Sequence, residues 1–173
     1  MIVMRGVLIA LLLLTACTTG VVNMKIKSTV FEPNGAIPSK YTCQGENINP
    51  NLKFEDVPKG TKTLVLLMDD PDVPKYVRED QMWDHWVVFN MPADTKELTE
   101  GQIPPGIQGK NTGGAIAYGG PCPPDREHRY FFKLYALDTE LSLLEGATKA
   151  EVEKAMEGHI IEKAELIGKY VKS

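Results

Sequence analysis

The chain is expected to fold as a mainly β domain, a sandwich of short strands, with peripheral helix and a helix near the C-terminus. Three observations predict this. Apolar runs of strand length, rich in β-branched and aromatic residues, recur between Met24 and Asp138. Pro and Gly are spread among them rather than gathered in one linker, so a second domain boundary is not expected. The one strong helical pattern comes late, after Thr148.

The first sixteen residues stand apart from the domain. Arg5 precedes an apolar run from Gly6 to Leu14, too short to span a bilayer but of signal-peptide length. Leu14-Thr15-Ala16-Cys17 matches a bacterial lipobox. It implies cleavage before Cys17 and acylation of its thiol and amine, a palmitate-type anchor in the cell envelope. Residues 1–16 then read as a lipoprotein signal peptide, 17–24 as the lipidated tether and 25–173 as the domain. Thr18, rather than aspartate, after the cysteine points to the outer membrane over the inner one. A start at Met24 is the alternative, and gives a cytoplasmic protein with the same domain.

Processing leaves 157 residues (173 minus 16), enough for one domain with its own core. Without Arg5 the basic count is 18 (19 minus 1) against 23 acidic residues. A mildly acidic chain with no Lys/Arg run argues against a nucleic-acid partner. Beyond Cys17 the cysteines are Cys43 and Cys122. An exported protein meets an oxidising compartment, where these two can pair. Two free thiols are the alternative.

Among the strands, "MKIKSTVF" (Met24–Phe31) and "NLKFEDVP" (Asn51–Pro58) are short candidates. "TLVLLMDD" (Thr63–Asp70) is continuously apolar until its acids, which suits a strand buried on both faces. "HWVVFNMP" (His85–Pro92) is aromatic and β-branched and stops at its proline; "RYFFKLYALD" (Arg129–Asp138) is rich in strand formers. Gly101 to Pro124 is a long Gly/Pro-rich stretch of the kind that carries function. Thr148 and Glu151 form a capping box. Val152, Met156, Ile160 and Ala164 follow at helical spacing, which predicts a helix that Gly158 and Gly168 divide. A shorter helix is expected around Leu141–Leu144.

The chemistry collects at strand ends. Asp70 and Asp72 lie in "DDPDVP", where two prolines stiffen the turn, although an ordinary Asp/Pro turn has the same composition. His85 opens a strand between Trp83 and Trp86. His128 and Tyr130 are two apart, so both point to one face of their strand while Arg129 points away. The amides of Gly119 and Gly120 are candidates for an anion-binding nest. Strand ends of a sandwich cluster in space. Asp70, Asp72, His85, His128 and Tyr130 are therefore expected around one pocket, walled by Trp83 and Tyr130. Histidine donors suit a phosphate or carboxylate oxygen.

"DDPDVP", "WDHWVVFNMP" and "GGPCPPDREHRYFFKLYALD", in this order, resemble the phosphatidylethanolamine-binding protein family, in its bacterial Raf kinase inhibitor-like branch. "YTCQGENINPNL" and "VPKGTKTLVLLMDDPD" fit the same branch. The resemblance runs from about Lys25 to the C-terminus. It implies a sandwich of antiparallel sheets with a small anion pocket at one end, formed by Asp70, Asp72, Trp83, His85, Gly120, His128 and Tyr130. Two departures stand out. Asp84-His85 replaces the His-His of eukaryotic members, and the turn before the HRY motif is Asp125-Arg126-Glu127.

The expected function is binding of a small anion, phosphate or a phosphoryl head group, with no cofactor. The alternative is an inhibitor that meets a protease or kinase-like partner through the pocket rim. Two further classes are weighed against these. Asp70 and His128 could act as base and acid in hydrolysis, and Asp70, Asp72, His85 and His128 could hold a metal. Neither has a recognisable motif behind it, so no enzyme and no metal are expected.

Overall fold

The computed structural model describes residues 23–173. The signal peptide, the Cys17 lipidation and the tether up to residue 22 lie outside the described residues. In chain order the elements are β1 (Lys25–Ser28), a 3-10 turn (Ser39–Tyr41), β2 (Leu52–Glu55), β3 (Thr63–Asp70) and β4 (Trp83–Pro92). They continue with β5 (Glu97–Leu98), β6 (Ile107–Gln108), β7 (His128–Leu137), α1 (Lys149–Met156) and β8 (Ile160–Tyr170).

The strands build two antiparallel sheets. The smaller has the order β1-β2-β5 and the larger β6-β4-β3-β7-β8. All eight positions of β3 are buried, because it is the central strand of the larger sheet and both faces are covered. Leu64, Leu66 and Met68 pack against Ile26, Leu52 and Phe54 of the smaller sheet. Val65 and Leu67 pack on the other side with Val87, Phe89 and the α1 residues Val152 and Met156. Alternation of side chains across a strand thus turns a continuous apolar run into two cores. On β7, His128, Tyr130, Phe132 and Leu134 are buried while Arg129 is exposed.

The C-terminal part departs from the expected helix. Thr148 Oγ1 accepts the Glu151 amide at 3.3 Å and the Glu151 carboxylate accepts the Thr148 amide at 2.8 Å, so the capping box forms. The helix then stops at Met156, and Gly158 turns the chain at φ +79°. Ile160–Tyr170 is strand β8, paired with β7 from Leu137↔Ile160 to His128↔Tyr170. The reason lies in the spacing: i and i+4 share a face in a strand as well as in a helix. Ala164, Leu166, Gly168 and Tyr170 are buried in a period of two. Leu141–Leu144 forms no helix either. The Leu141 amide and carbonyl are both bound by the Asn90 side chain at 2.9 Å, and Leu144 is exposed.

The chain enters the domain at the far edge of β8, where the Met24 amide donates to Glu162 Oε1 at 2.7 Å. β8 runs from there to Tyr170, which pairs with His128. Among the described residues no helix is long and apolar enough to cross a membrane.

Candidate functional site

The C-terminal end of β3 and the N-terminal ends of β4 and β7 meet at one end of the larger sheet. A β-bulge in β4 aims the first histidine. Met68 pairs with Trp86 and Asp69 with Asp84, so His85 is the extra residue in between. The bulge lets His85 and Trp86 point to the same side. The His85 ring meets Tyr130 edge-on at 5.2 Å, and the Trp86 ring meets Tyr118 at 5.4 Å. Asp84 goes to the opposite side, 3.0 Å from Lys149 Nζ.

A cavity of about 470 Å³ opens at this end. Asp70, Trp83, His85, Gly120 and His128 line it, as do Val73, Val77, Asn111, Pro124 and both cysteines. Cys43 and Cys122 are joined as a disulfide with Cα atoms 5.4 Å apart, and the Cys43 amide donates to the Pro121 carbonyl at 3.1 Å. Together they staple the lip of the cavity to the segment after the 3-10 turn.

His85 Nδ1 donates to the Gly119 carbonyl at 2.7 Å, and the Gly119 amide returns a bond to the His85 carbonyl at 2.9 Å. The acceptor on Nδ1 fixes the tautomer and leaves Nε2 as the ring nitrogen without a partner among the described residues. Burial pushes the His85 imidazole below the usual histidine range, with the Gly119 carbonyl and the Asp70, Asp84 and Asp69 carboxylates pulling the other way.

His128 is fully buried and held at both nitrogens. Nδ1 is 2.7 Å from Asp70 Oδ2, and Nε2 is 2.8 Å from Asp125 Oδ1. The His128 contact holds the Asp125 carboxyl below the usual carboxylate range. Both ring nitrogens thus face carboxylate oxygens, one from a strand end and one from a turn. Asp70 also accepts the Asp72 amide through Oδ1 at 2.8 Å, so its orientation is fixed from behind.

Two residues expected at the pocket have other places. Asp72 faces outward and grips Arg129 in a two-pronged pair at 2.8 and 2.7 Å, which holds its carboxyl below the usual range. It ties the loop after β3 to the outer face of β7 and does not line the cavity. The four-residue metal set considered from sequence is therefore not assembled. Tyr130 lies beneath His85 rather than at the wall. Burial and the nearby Asp70 carboxylate push its phenol upward in pKa.

The glycine turn also works differently from the expected nest. The Gly119 amide is bound to His85, and the Gly120 amide donates to Asn47 Oδ1 at 2.7 Å. Neither glycine amide is left for an anion. Gly120 is needed for closeness instead: a Cβ there would sit 2.5 Å from the Tyr41 carbonyl oxygen and from Asn47 Oδ1.

Sequence reasoning passed over the asparagines. Asn111 accepts the Ala115 amide at 3.0 Å and donates to the Ala117 carbonyl at 3.1 Å, which shapes the loop that brings Asn111, Gly113 and Ala115 to the cavity lining. Asn47 sits at φ +58°, a backbone region asparagine tolerates, which is a readable signal only once a turn is suspected there. Besides backbone, the polar groups that line the cavity are the Asp70 carboxylate, the His85 and His128 imidazoles, the Asn47 and Asn111 amides, the Trp83 indole and the Tyr118 phenol. They can hold an oxygen-rich group between two imidazoles and an aromatic wall.

A family model for phosphatidylethanolamine-binding proteins matches residues 27–171. The chain belongs to the phosphatidylethanolamine-binding protein family. Family members with high similarity include an uncharacterised-family protein of Chlamydia trachomatis, 51% identical over 86% of this chain and 99% of that one. A counterpart in Methanothermobacter thermautotrophicus is 50% identical, over 85% and 98% of the two chains. The solved structure of a phosphatidylethanolamine-binding protein homolog from C. trachomatis superposes with a TM-score of 0.85, at 50% identity, covering 87% of this chain and 99% of that one. YbcL of E. coli, described as a new member of the mammalian PEBP family, gives a TM-score of 0.79 at 29% identity, covering 88% and 100%.

Proposed function

We propose that the cavity binds a small oxyanion, phosphate or the phosphoryl end of a head group. The observation that carries this reading is the environment of His128. A buried carboxylate, Asp70, backs one ring nitrogen, and the other nitrogen already holds a carboxylate oxygen. A histidine backed by a buried carboxylate and already facing a carboxylate oxygen in front is a built contact for an oxyanion. His85 Nε2, without a partner, supplies a second nitrogen from the same cavity. It accepts from a protonated phosphoryl oxygen, or donates once the ligand draws a proton onto it. The name of the family points to phosphoryl head groups.

The test is titration with inorganic phosphate and with phosphorylethanolamine, followed by calorimetry and by imidazole NMR shifts, in the native chain and in His85→Ala and His128→Ala. Loss of binding in both variants is expected. Equal binding in both would remove the basis of the reading.

A second reading, inhibition of a protease or kinase-like protein through the rim, is favoured by Tyr76 and Val77, which stand 76% and 43% exposed beside the cavity mouth. We further propose that the chain is an envelope lipoprotein anchored through Cys17. The intact mass of the membrane-extracted protein tests this, since acylation adds the mass of its fatty chains.

A further inference from the structure

The front of the His128 ring is taken by a residue of the chain itself. His128 is fully buried, and Asp125 stands on Nε2 at 2.8 Å. Behind the ring, Asp70 belongs to a strand and is 4% exposed at its side chain; in front, Asp125 belongs to a turn and is 30% exposed. We propose that Asp125 is a built-in competitor, an internal carboxylate that occupies the oxyanion position until an incoming phosphate-type group displaces it. The inference rests on the oxyanion reading above and adds how the site is held when no anion has entered.

Three features support the exchange. The two positions flanking His128 differ in anchorage: Asp70 is locked by the Asp72 amide of its own strand end, whereas Asp125 is held besides by its exposed chain neighbour Arg126, with Nη1 at 2.8 Å from its other oxygen and a backbone contact. Arg126 is itself tied to the Asp72 carbonyl at 3.2 Å and is 58% exposed at its side chain. When Asp125 swings out, a guanidinium anchored beside the mouth is released from its carboxylate and can face the entering anion. Finally, swapping one oxyanion for another never leaves the buried His128 ring without a partner, because Asp70 stays on Nδ1 throughout. The apparent affinity is then the intrinsic one reduced by the fraction of molecules in which Asp125 is displaced.

The experiment is titration of inorganic phosphate into the native chain, Asp125→Ala, Asp125→Asn and Glu127→Gln at one pH and low salt. Asp125→Ala should bind about three- to tenfold tighter, with Asp125→Asn moving the same way by less. Glu127→Gln removes one negative charge from the same turn without touching His128, and should stay within about twofold of the native value. Phosphate binding by the native chain that is equal or weaker in Asp125→Ala would overturn the competitor and leave the oxyanion reading standing. An equal gain in Glu127→Gln would overturn it in favour of simple charge reduction. No phosphate binding in any of the four proteins would remove both. A shift of the His128 Nε2 resonance in ligand-free Asp125→Ala, with the fold retained, is expected as the direct readout of the lost contact.

Discussion

Asp69 and Asp70 are consecutive in the chain and serve opposite faces of one sheet. Asp70 backs His128 in the cavity, while Asp69, fully buried, takes Lys133 Nζ at 2.7 Å and Lys149 Nζ at 2.8 Å beneath α1. Lys149 also reaches Asp84, the neighbour of His85. The ionic cluster and the cavity are therefore built back to back on the same two strand positions. The cluster pins both sides of the bulge that aims His85.

Removing the shared cation should be costly. Lys149→Met leaves Asp69 with Lys133 alone and Asp84 without its buried partner. A loss of about 2–4 kcal/mol is expected, less than for a buried carboxylate stripped of every partner. Urea denaturation measures it. The double variant Lys149→Met with Asp69→Asn should recover part of the loss, and an additive loss instead would show that the two residues do not act as a pair.

The buried His85 imposes a pH dependence with a definite sign. Its folded pKa lies below the ordinary value of about 6.5 for the unfolded chain. On acidification the unfolded state takes up the proton first. The contribution is fully present above about 6.5 and is lost as pH falls below it toward the lower folded value. Urea midpoints from pH 7.5 to 5 should fall in the native chain and fall less in His85→Gln. Parallel curves would show that other groups set the slope.

Gly120→Ala should destabilise by about 1–3 kcal/mol, because its Cβ would meet backbone as well as the Asn47 side chain, and backbone yields least. Thermal melting reads the effect. Gly60→Ala makes a useful contrast: nothing lies within 4 Å of a Cβ there, so any cost comes from its φ of +88° alone.

Reduction of the disulfide should lower stability by about 2–5 kcal/mol, since the bridge closes a long loop, with a sequence separation of 79. Denaturation with and without reductant, and of Cys43→Ser with Cys122→Ser, should agree. The variant should also bind phosphate more weakly, because the lip from Gly119 to Pro124 loses its staple.

The central strands were legible because burial on both faces writes itself as an unbroken apolar run in Thr63–Asp70. The pairing of His128 with Tyr130 on one face follows from strand alternation alone. β8 was not legible, since Ile160 and Ala164 satisfy the four-residue spacing of a helix while the pairing that makes them a strand comes from β7, distant in sequence. Asp72 was misplaced because a carboxylate one position past a strand can turn either way, and Arg129 across the sheet decided it. The free amides expected at Gly119 and Gly120 were taken by His85 and Asn47, partners that no local pattern reveals. The bulge at His85 is likewise a matter of register between strands, which one strand does not carry by itself.

Met24, at the entry to the domain, and Ser173 sit unequally with respect to the opening. Met24 is fastened to Glu162, and the strand from Glu162 to Tyr170 places it roughly 25 Å from the histidines at 3.3 Å per residue. Ser173 is clasped by Gln44, next to the bridged Cys43. A bead, dye or fusion partner attached ahead of Met24 would hold the molecule by its back with the mouth turned to bulk solvent, whereas the same cargo after Ser173 would crowd the doorway.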